Sequence, residues 1–319
     1  MKAARIVGPH RFETLDVPAP EPKQGEVLVK FNELSICGSD LLTYDKVFPE
    51  EEYPRPAGFP CHECAGYIEE SYSDLYKPGQ YVISLAYSGG LFEYSAVPQH
   101  LLIPIPEDVD PSLAVLCQPA GTVIFALQQL GPVFGKKVVV LGQGPIGLIF
   151  TELLVKAGAS QVIVSDVIDH RLEVAKTRGA DNVFNPTKVD SLEAVTEFTK
   201  GQLADLVIDA SGVTETVNDS IRVVRKQGMI NVFGMPHVEE SVPFDWFNMY
   251  NKLPNIIVTN SRRSNDVVEN VQAAVDLMVR GRLDLKYMVT DRFPFEQTED
   301  AFRTFAERKN NTLKVIIDV

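Results

Sequence analysis

One segment constrains the fold more than any other: Lys136 to Asp166, KKVVVLGQGPIGLIFTELLVKAGASQVIVSD. A β-branched run, Val138-Val139-Val140-Leu141, leads straight into Gly142-Gln143-Gly144-Pro145-Ile146-Gly147. Apolar residues at helical spacing follow (Leu148, Ile149, Leu153, Leu154, Ala157), and Gly158 stops them. A second apolar run, Val162-Ile163-Val164, then ends at an acid, Asp166. Strand, glycine turn, helix, strand and acid in this order are the context in which G-x-G-x-x-G binds a dinucleotide. Gly142 permits the tight turn, Gly144 lets the backbone approach a pyrophosphate, and Gly147 lets the helix pack closely on the strand. The helix N-terminus offers free N–H groups and a positive dipole end to the phosphates. Asp166 is placed to accept from the adenosine ribose hydroxyls and would repel a 2′-phosphate, so NAD is expected over NADP.

Around this segment two textures alternate. Residues 1–120 hold short extended runs broken by Pro and Gly: Val27–Phe31, Ala65–Ile68, Tyr81–Leu85, Phe92–Val97 and Leu101–Ile103. Their spacing suggests a compact β-rich barrel or sandwich. From about Pro119 to Asn260 the pattern is βαβ, with helices expected at Arg171–Arg178, Leu192–Thr199 and Thr214–Arg225. Strands are expected at Asp181–Phe184, Asp205–Asp209, Met229–Phe233 and Ile256–Val258, which makes a six-stranded doubly wound sheet with the two already named. The remainder carries helices Val267–Val279 and Thr298–Glu307 and a closing strand Lys314–Asp318, whose extended pieces are expected to rejoin the first domain. The fold class is therefore α/β. The expected domains are 1–120 with 261–319, and 121–260 inserted between them.

Composition removes several function classes. A hydrophobic fraction of 45% and a charged fraction of 23% are those of a soluble globular protein. No apolar run approaches the ~20 residues of a membrane span. The opening MKAARIVGPHRFE lacks a signal peptide's apolar core, so a cytoplasmic setting is expected. A net charge of −13 argues against nucleic acid as a partner.

The four cysteines, Cys37, Cys61, Cys64 and Cys117, all fall in the first 120 residues, which points to a site and not to a disulfide scaffold. Cys37-Gly38-Ser39-Asp40 and the His62-Glu63 pair inside PCHECAG supply thiolate, imidazole and carboxylate together. A lone Cys or a lone His is usually a core residue; this joint set favours a metal. Cys61 and Cys64 bracket His62 as C-x-x-C, and on a strand Cys61 and Glu63 would face away from His62 and Cys64. Cys64 and Cys117 are alternative sulfur donors, but both read better as small buried hydrophobes.

With these residues in view, the chain resembles the zinc-dependent medium-chain dehydrogenases/reductases, closest to their sorbitol, threonine and sugar dehydrogenase branch. The resemblance runs through KAARIV…FETLDVPAPEPKQGEVLVK, LFEYSAVP, GADNVFNP, DLVIDASG, GMINVFGMP and RFPFEQTEDAFRTFAERKNNTLKVIIDV. It implies a GroES-like β-rich catalytic domain joined to a Rossmann domain. It further implies Cys37 and His62 as ligands of one catalytic Zn2+, Glu63 as a ligand or a group exchanging with water, and Asp40 as the carboxylate orienting His62. Gln118, in Gln118-Pro119-Ala120, stands where the family usually has Glu or Cys as the remaining ligand. Ser39 matches the hydroxyl that takes the substrate proton, and Glu63 is a further candidate in that relay. Ile146 matches a position against the pyrophosphate and Arg171 one beside the adenosine, though a solvated helix-face cation reads almost as well for Arg171. Phe233-Gly234-Met235 and Thr259-Asn260-Ser261 match segments flanking the nicotinamide.

Two departures stand out. The connection Ser84–Gly90 has no cysteine where the family carries a structural-zinc lobe, so no structural ion is expected. Leu42 replaces the histidine that passes the proton to solvent in many relatives. Ribose hydroxyls and water, Glu63 and Tyr44 are the exits left open. The implied activity is hydride transfer between NAD and a secondary alcohol (a polyol, sugar or related small hydroxylated metabolite) or its ketone, by a homodimer or homotetramer paired near Ile256–Val258. The rivals are a zinc-free double-bond reductase on the same fold and a redox-silent NAD- and zinc-binding sensor. Trp246, His10 and His237 are expected only to pack or lie at the surface.

Overall fold

The computed structural model describes residues 1–85, 89–236, 241–260, 267–308 and 311–319. The chain divides into two compact units, one of Met1–Gly121 with Asn265–Val319 and one of Thr122–Ser264.

The first unit opens with a hairpin, β1 (Lys2–Gly8) and β2 (Arg11–Asp16). Its central strand is β3 (Glu26–Ser35), followed by the short helix α1 (Leu41–Tyr44), then β4 (Glu63–Ser71), β5 (Tyr81–Ser84), β6 (Tyr94–Pro98) and β7 (Leu102–Pro104). The runs expected from sequence are strands in substance. The exceptions are Leu85 and Glu93, which fall just outside β5 and β6, Phe92, which makes a single bridge to Ala3, and Leu101, which closes a 3-10 turn. Helix α2 (Cys117–Leu130) closes this amino-terminal half.

The second unit contains β8 (Lys137–Leu141), α3 (Pro145–Lys156), β9 (Gln161–Ser165), α4 (Asp169–Thr177), β10 (Asn182–Phe184), α5 (Ser191–Phe198) and β11 (Ala204–Asp209). It continues through α6 (Thr214–Val223), β12 (Val224–Val232), α7 (Trp246–Lys252) and β13 (Asn255–Val258). All neighbours in its sheet are parallel, in the order β10-β9-β8-β11-β12-β13. Numbered within the sheet this is 3-2-1-4-5-6, the doubly wound order whose switch point lies between β8 and β11. Val139, Leu141, Ile163 and Val207, fully or almost fully buried, are part of the core on this sheet. Helix α6 stops two residues before the expected Arg225, because Val224 turns extended and its carbonyl accepts from Lys252 Nζ at 2.9 Å.

The chain then returns to the first unit with α8 (Val267–Val279), β14 (Val289–Pro294), α9 (Thr298–Glu307) and β15 (Lys314–Asp318). Strand β15 pairs antiparallel with β3 and parallel with β14, giving a sheet ordered β14-β15-β3-β4-β5-β7 with β6 also on β3. This is the GroES-like arrangement. No helix among the described residues is long and apolar enough to cross a membrane.

Candidate active site

Three strand ends of the first unit meet at one place, and the register explains how. Ser35, the last residue of β3, pairs with Glu63, the first of β4, and with Ile316 of β15. Continuing each strand from these partners brings Cys37, His62-Glu63 and Lys314 together, although they are distant in sequence. The ligand atoms of Cys37, His62 and Glu63 lie within 4.8 Å of one another, the single grouping of metal-type donors among the described residues.

Each donor is held by its own local structure. Cys37 caps the 3-10 turn Gly38–Asp40, and its N–H donates to Asp40 Oδ2 at 2.8 Å. The other oxygen of Asp40 lies 2.8 Å from His62 Nδ1 and so orients the ring. Both side chains are buried. His62 precedes β4 and is not part of it, so the strand alternation expected for Cys61–Cys64 does not govern it. His62 and Glu63 reach the same point despite being adjacent. Glu63 is fully buried; its Oε2 lies 2.5 Å from Lys314 Nζ, while Oε1 has no hydrogen-bond partner among the described residues.

The electrostatics favour positive charge. Burial pulls the His62 imidazole down, but Asp40 and Cys37 outweigh it and push it up to about 12. Burial also lowers the Lys314 ammonium, yet Glu63 and Cys37 leave it above its ordinary value. Burial raises the Asp40 carboxyl, only partly opposed by His62. A cysteine sulfur, an imidazole with one nitrogen engaged by Asp40 and a carboxyl group whose buried Oε1 lacks a partner among the described residues form a donor set that suits Zn2+.

The remaining expected residues of this site are placed as follows. Ser39 is half-buried with its Oγ enclosed and lacking a partner among the described residues. Gln118 is buried in the first turn of α2. Cys61 and Cys64 sit in the apolar core of the first unit, as small hydrophobes do. The Cys117 thiol is 3.5 Å from Met278 Sδ, and burial pushes it up to about 12. Tyr44 belongs to an aromatic cluster, stacked on His10 with centroids 4.7 Å apart and tilted against Phe302 at 5.5 Å.

In the second unit the turn after β8 is built as the glycine pattern requires. Gly142 has φ +92, and a Cβ on Gly147 would stand 1.9 Å from Gly142 O. Gly144 caps α3 and Pro145 opens it, with Ile146 next. Asp166 accepts from Gln143 N at 2.7 Å and Ile168 N at 2.9 Å, which ties the acid to the turn; Arg171 Nη1 is 3.8 Å away. At the ends of β11 and β12, Phe233 N and Gly234 N donate to Asp209 O, and Gly234 packs so tightly on Gly212 that a Cβ would fall 2.1 Å from its nitrogen. Met235 is exposed, Thr259 is buried, donating to Gln129 Oε1 at 3.2 Å, and Asn260 is exposed. Ser261 and His237 lie outside the described residues.

Two residues here escaped the sequence. Lys314 could have been noticed as a charge opening an apolar strand, KVIID. Asp209, fully buried, accepts from Ser211 N, Ser211 Oγ and Thr216 Oγ1 and keeps Oδ2 without a partner among the described residues. A terminal acid on an apolar strand was its only signal.

Comparison with known proteins bears on the family. The family model for a zinc-binding dehydrogenase matches residues 145–280, and that for an alcohol dehydrogenase GroES-like domain matches residues 23–107. The chain is 28% identical to the L-threonine 3-dehydrogenase of Pyrococcus abyssi over 334 residues, covering 95% of this chain and 94% of that one. It is 26% identical to the sorbitol dehydrogenase of Bacillus subtilis over 350 residues, covering 99% and 97%. Among solved structures, the short chain alcohol dehydrogenase rspB of Escherichia coli CFT073, complexed with cofactor NADH, superposes with TM-score 0.86 at 26% identity over 100% of this chain and 99% of that one.

Proposed function

Because the chain belongs to the zinc-dependent medium-chain dehydrogenases/reductases, we propose that it oxidises a secondary alcohol to a ketone with NAD. The substrate class is a polyol, a sugar or a related hydroxylated metabolite. The observation that carries this reading is the convergence of Cys37, His62 and Glu63, with Glu63 Oε1 buried and without a partner among the described residues. When bound, zinc supplies a Lewis acid that brings a substrate hydroxyl toward neutral pKa, and nicotinamide supplies the hydride acceptor.

The protein's own groups do the rest. Cys37, His62 and Glu63 would hold the ion, with Gln118 as the further neutral donor. Asp40 fixes the His62 tautomer and ring. Ser39 Oγ, with no partner among the described residues, takes the hydroxyl proton. Two electrons leave the carbinol carbon as hydride, and the proton passes from Ser39 to solvent through water and ribose hydroxyls or Glu63. The commitment of Tyr44 to an aromatic stack supports leaving it out of that route.

The α3 N-terminus and the glycine turn receive the pyrophosphate, with Ile146 against it and Arg171 beside the adenosine. Asp166 favours NAD over NADP. Phe233-Gly234-Met235 and Thr259-Asn260-Ser261 flank the nicotinamide. The absence of cysteine from Ser84–Gly90 supports a single ion. Four free cysteines suit a reducing compartment such as the cytoplasm. The open edge of β13 supports a homodimer or homotetramer.

The test is metal analysis of the purified chain together with NADH formation over a panel of polyols and sugars. One zinc per chain and turnover of some secondary alcohol are expected. A chain that holds no zinc and forms no NADH from these alcohols, but consumes reduced nicotinamide with an activated alkene, is the zinc-free double-bond reductase. One that binds zinc and NAD but turns over nothing is the sensor, a reading that Leu42 keeps in play.

A further inference from the structure

Lys314 lies in the pocket of the candidate metal donors, yet no ligand role accounts for it. It is buried at the start of β15, with Nζ 2.5 Å from Glu63 Oε2 and donating to Ile36 O at 2.9 Å. The chain could have filled this place with an apolar side chain, as it does for the following Val315, Ile316 and Ile317, all fully buried. A buried ammonium is costly to keep, and an ion pair in the interior is no better for stability than a well-packed apolar pair. What this one achieves is specific: it engages one oxygen of Glu63, a carboxylate grouped with Cys37 and His62, while the other, Oε1, has no partner among the described residues.

We propose that Lys314 is a positioning residue for the metal, holding Glu63 by Oε2 so that Oε1 stays available, and serving as the counter-charge of that carboxylate whenever no ion is bound. This rests on the zinc reading of Cys37, His62 and Glu63. The two acids at the site are provided for separately. Asp40 is engaged by His62 and by Cys37 N–H, whereas the cation paired with Glu63 is Lys314. Removing one partner of a buried pair leaves an uncompensated charge. In the metal-free chain that charge would have nothing to offset it; in the loaded chain the ion itself remains. Loss of Lys314 must therefore cost the metal-free protein more than the zinc-loaded one, whereas a lysine that only packs would cost both equally.

The experiment compares Lys314→Met, Glu63→Gln and the double variant in the full chain. Thermal unfolding is followed after chelation and after zinc loading, and visible absorption after cobalt substitution. For Lys314→Met, the Tm of the chelated chain is expected to fall about 5–10 °C further than that of the zinc-loaded chain. The double variant, with no charge left to compensate, recovers most of that extra loss. The cobalt bands shift in Lys314→Met, because Glu63 is no longer held by one oxygen. Should Lys314→Met not fold without metal, folding of the chelated double variant carries the same meaning, and failure of both overturns the proposal. Equal losses in the two metal states, or an unmoved cobalt spectrum, also overturn it. A wild-type chain that takes up neither zinc nor cobalt overturns the zinc reading itself, and the role of Lys314 with it.

Discussion

Asp40 shows how much one side chain can organise. Its two oxygens separately tie down the backbone of Cys37 and the ring of His62, so sulfur and imidazole are oriented by the same carboxylate. Substituting a donor should therefore be felt at the metal and nowhere else. Cys37→Ser is expected to lower zinc affinity by more than the ~10–100-fold typical of a supporting partner while NAD binding stays unchanged. Equilibrium dialysis against zinc and NADH fluorescence titration check the two halves, and retained metal removes Cys37 from the site. Asp209 lends itself to a pH experiment. Burial holds its carboxyl above the ordinary 3.8, opposed by Ser211 and Thr216. The folded state thus binds that proton more tightly than the unfolded state, and the group's contribution to stability declines as pH rises from about 3.8 through the raised value. Asp209→Asn removes that decline, so the variant should gain Tm over wild type at pH 7 and lose the advantage toward pH 4. A uniform loss at every pH would mean the hydrogen bonds to Ser211 and Thr216 need a full negative charge.

At the level of elements, the turn from β8 into α3 depends on contact distances that only glycine allows. Gly147→Ala would set a methyl 1.9 Å from Gly142 O, a backbone atom that cannot step aside cheaply. The expected cost is about 1–3 kcal/mol, roughly 3–10 °C in Tm, with weakened NADH binding; calorimetry and titration measure both. This turn was legible in the sequence because all its requirements are local. The same holds for α8, α9 and β15, which fall where the sequence placed them. Helix α2 was not among the elements expected from the sequence; it carries Pro119 in its first turn, where a proline gives up only an N–H that would be unpaired anyway. Nor was the hairpin β1–β2, whose second strand is largely exposed and so lacks an alternating apolar face. The candidate donors could be listed from sequence, whereas Lys314 showed there only as a charge opening an apolar strand, with nothing to tie it to Glu63. Its role follows from the pairing of Ser35 with both Glu63 and Ile316, a fact of long-range register.

Across the whole molecule, exposed apolar side chains gather on the second unit. Strand β13 ends its sheet with Ile256 and Val258 exposed, the latter by 72%, and Trp246, Phe247 and Tyr250 of α7 are open as well. An edge strand with free backbone groups and apolar side chains pairs with another chain unless charge prevents it. Val258→Lys should accordingly convert an assembled species to monomer in sedimentation equilibrium, with little loss of fold; an unchanged mass would place the contact elsewhere. The first unit has a different peculiarity, for it is made from two stretches of chain separated by the entire second unit. A ribosome delivers Cys37, His62 and Glu63 early and Lys314 only after the nucleotide unit has emerged. The growing polypeptide thus carries an incomplete pocket through most of its synthesis, with an acid awaiting its partner. On the zinc reading, an ion captured before β15 is made would have to stand in for that missing ammonium, so early metal and late lysine would serve the same carboxylate in turn.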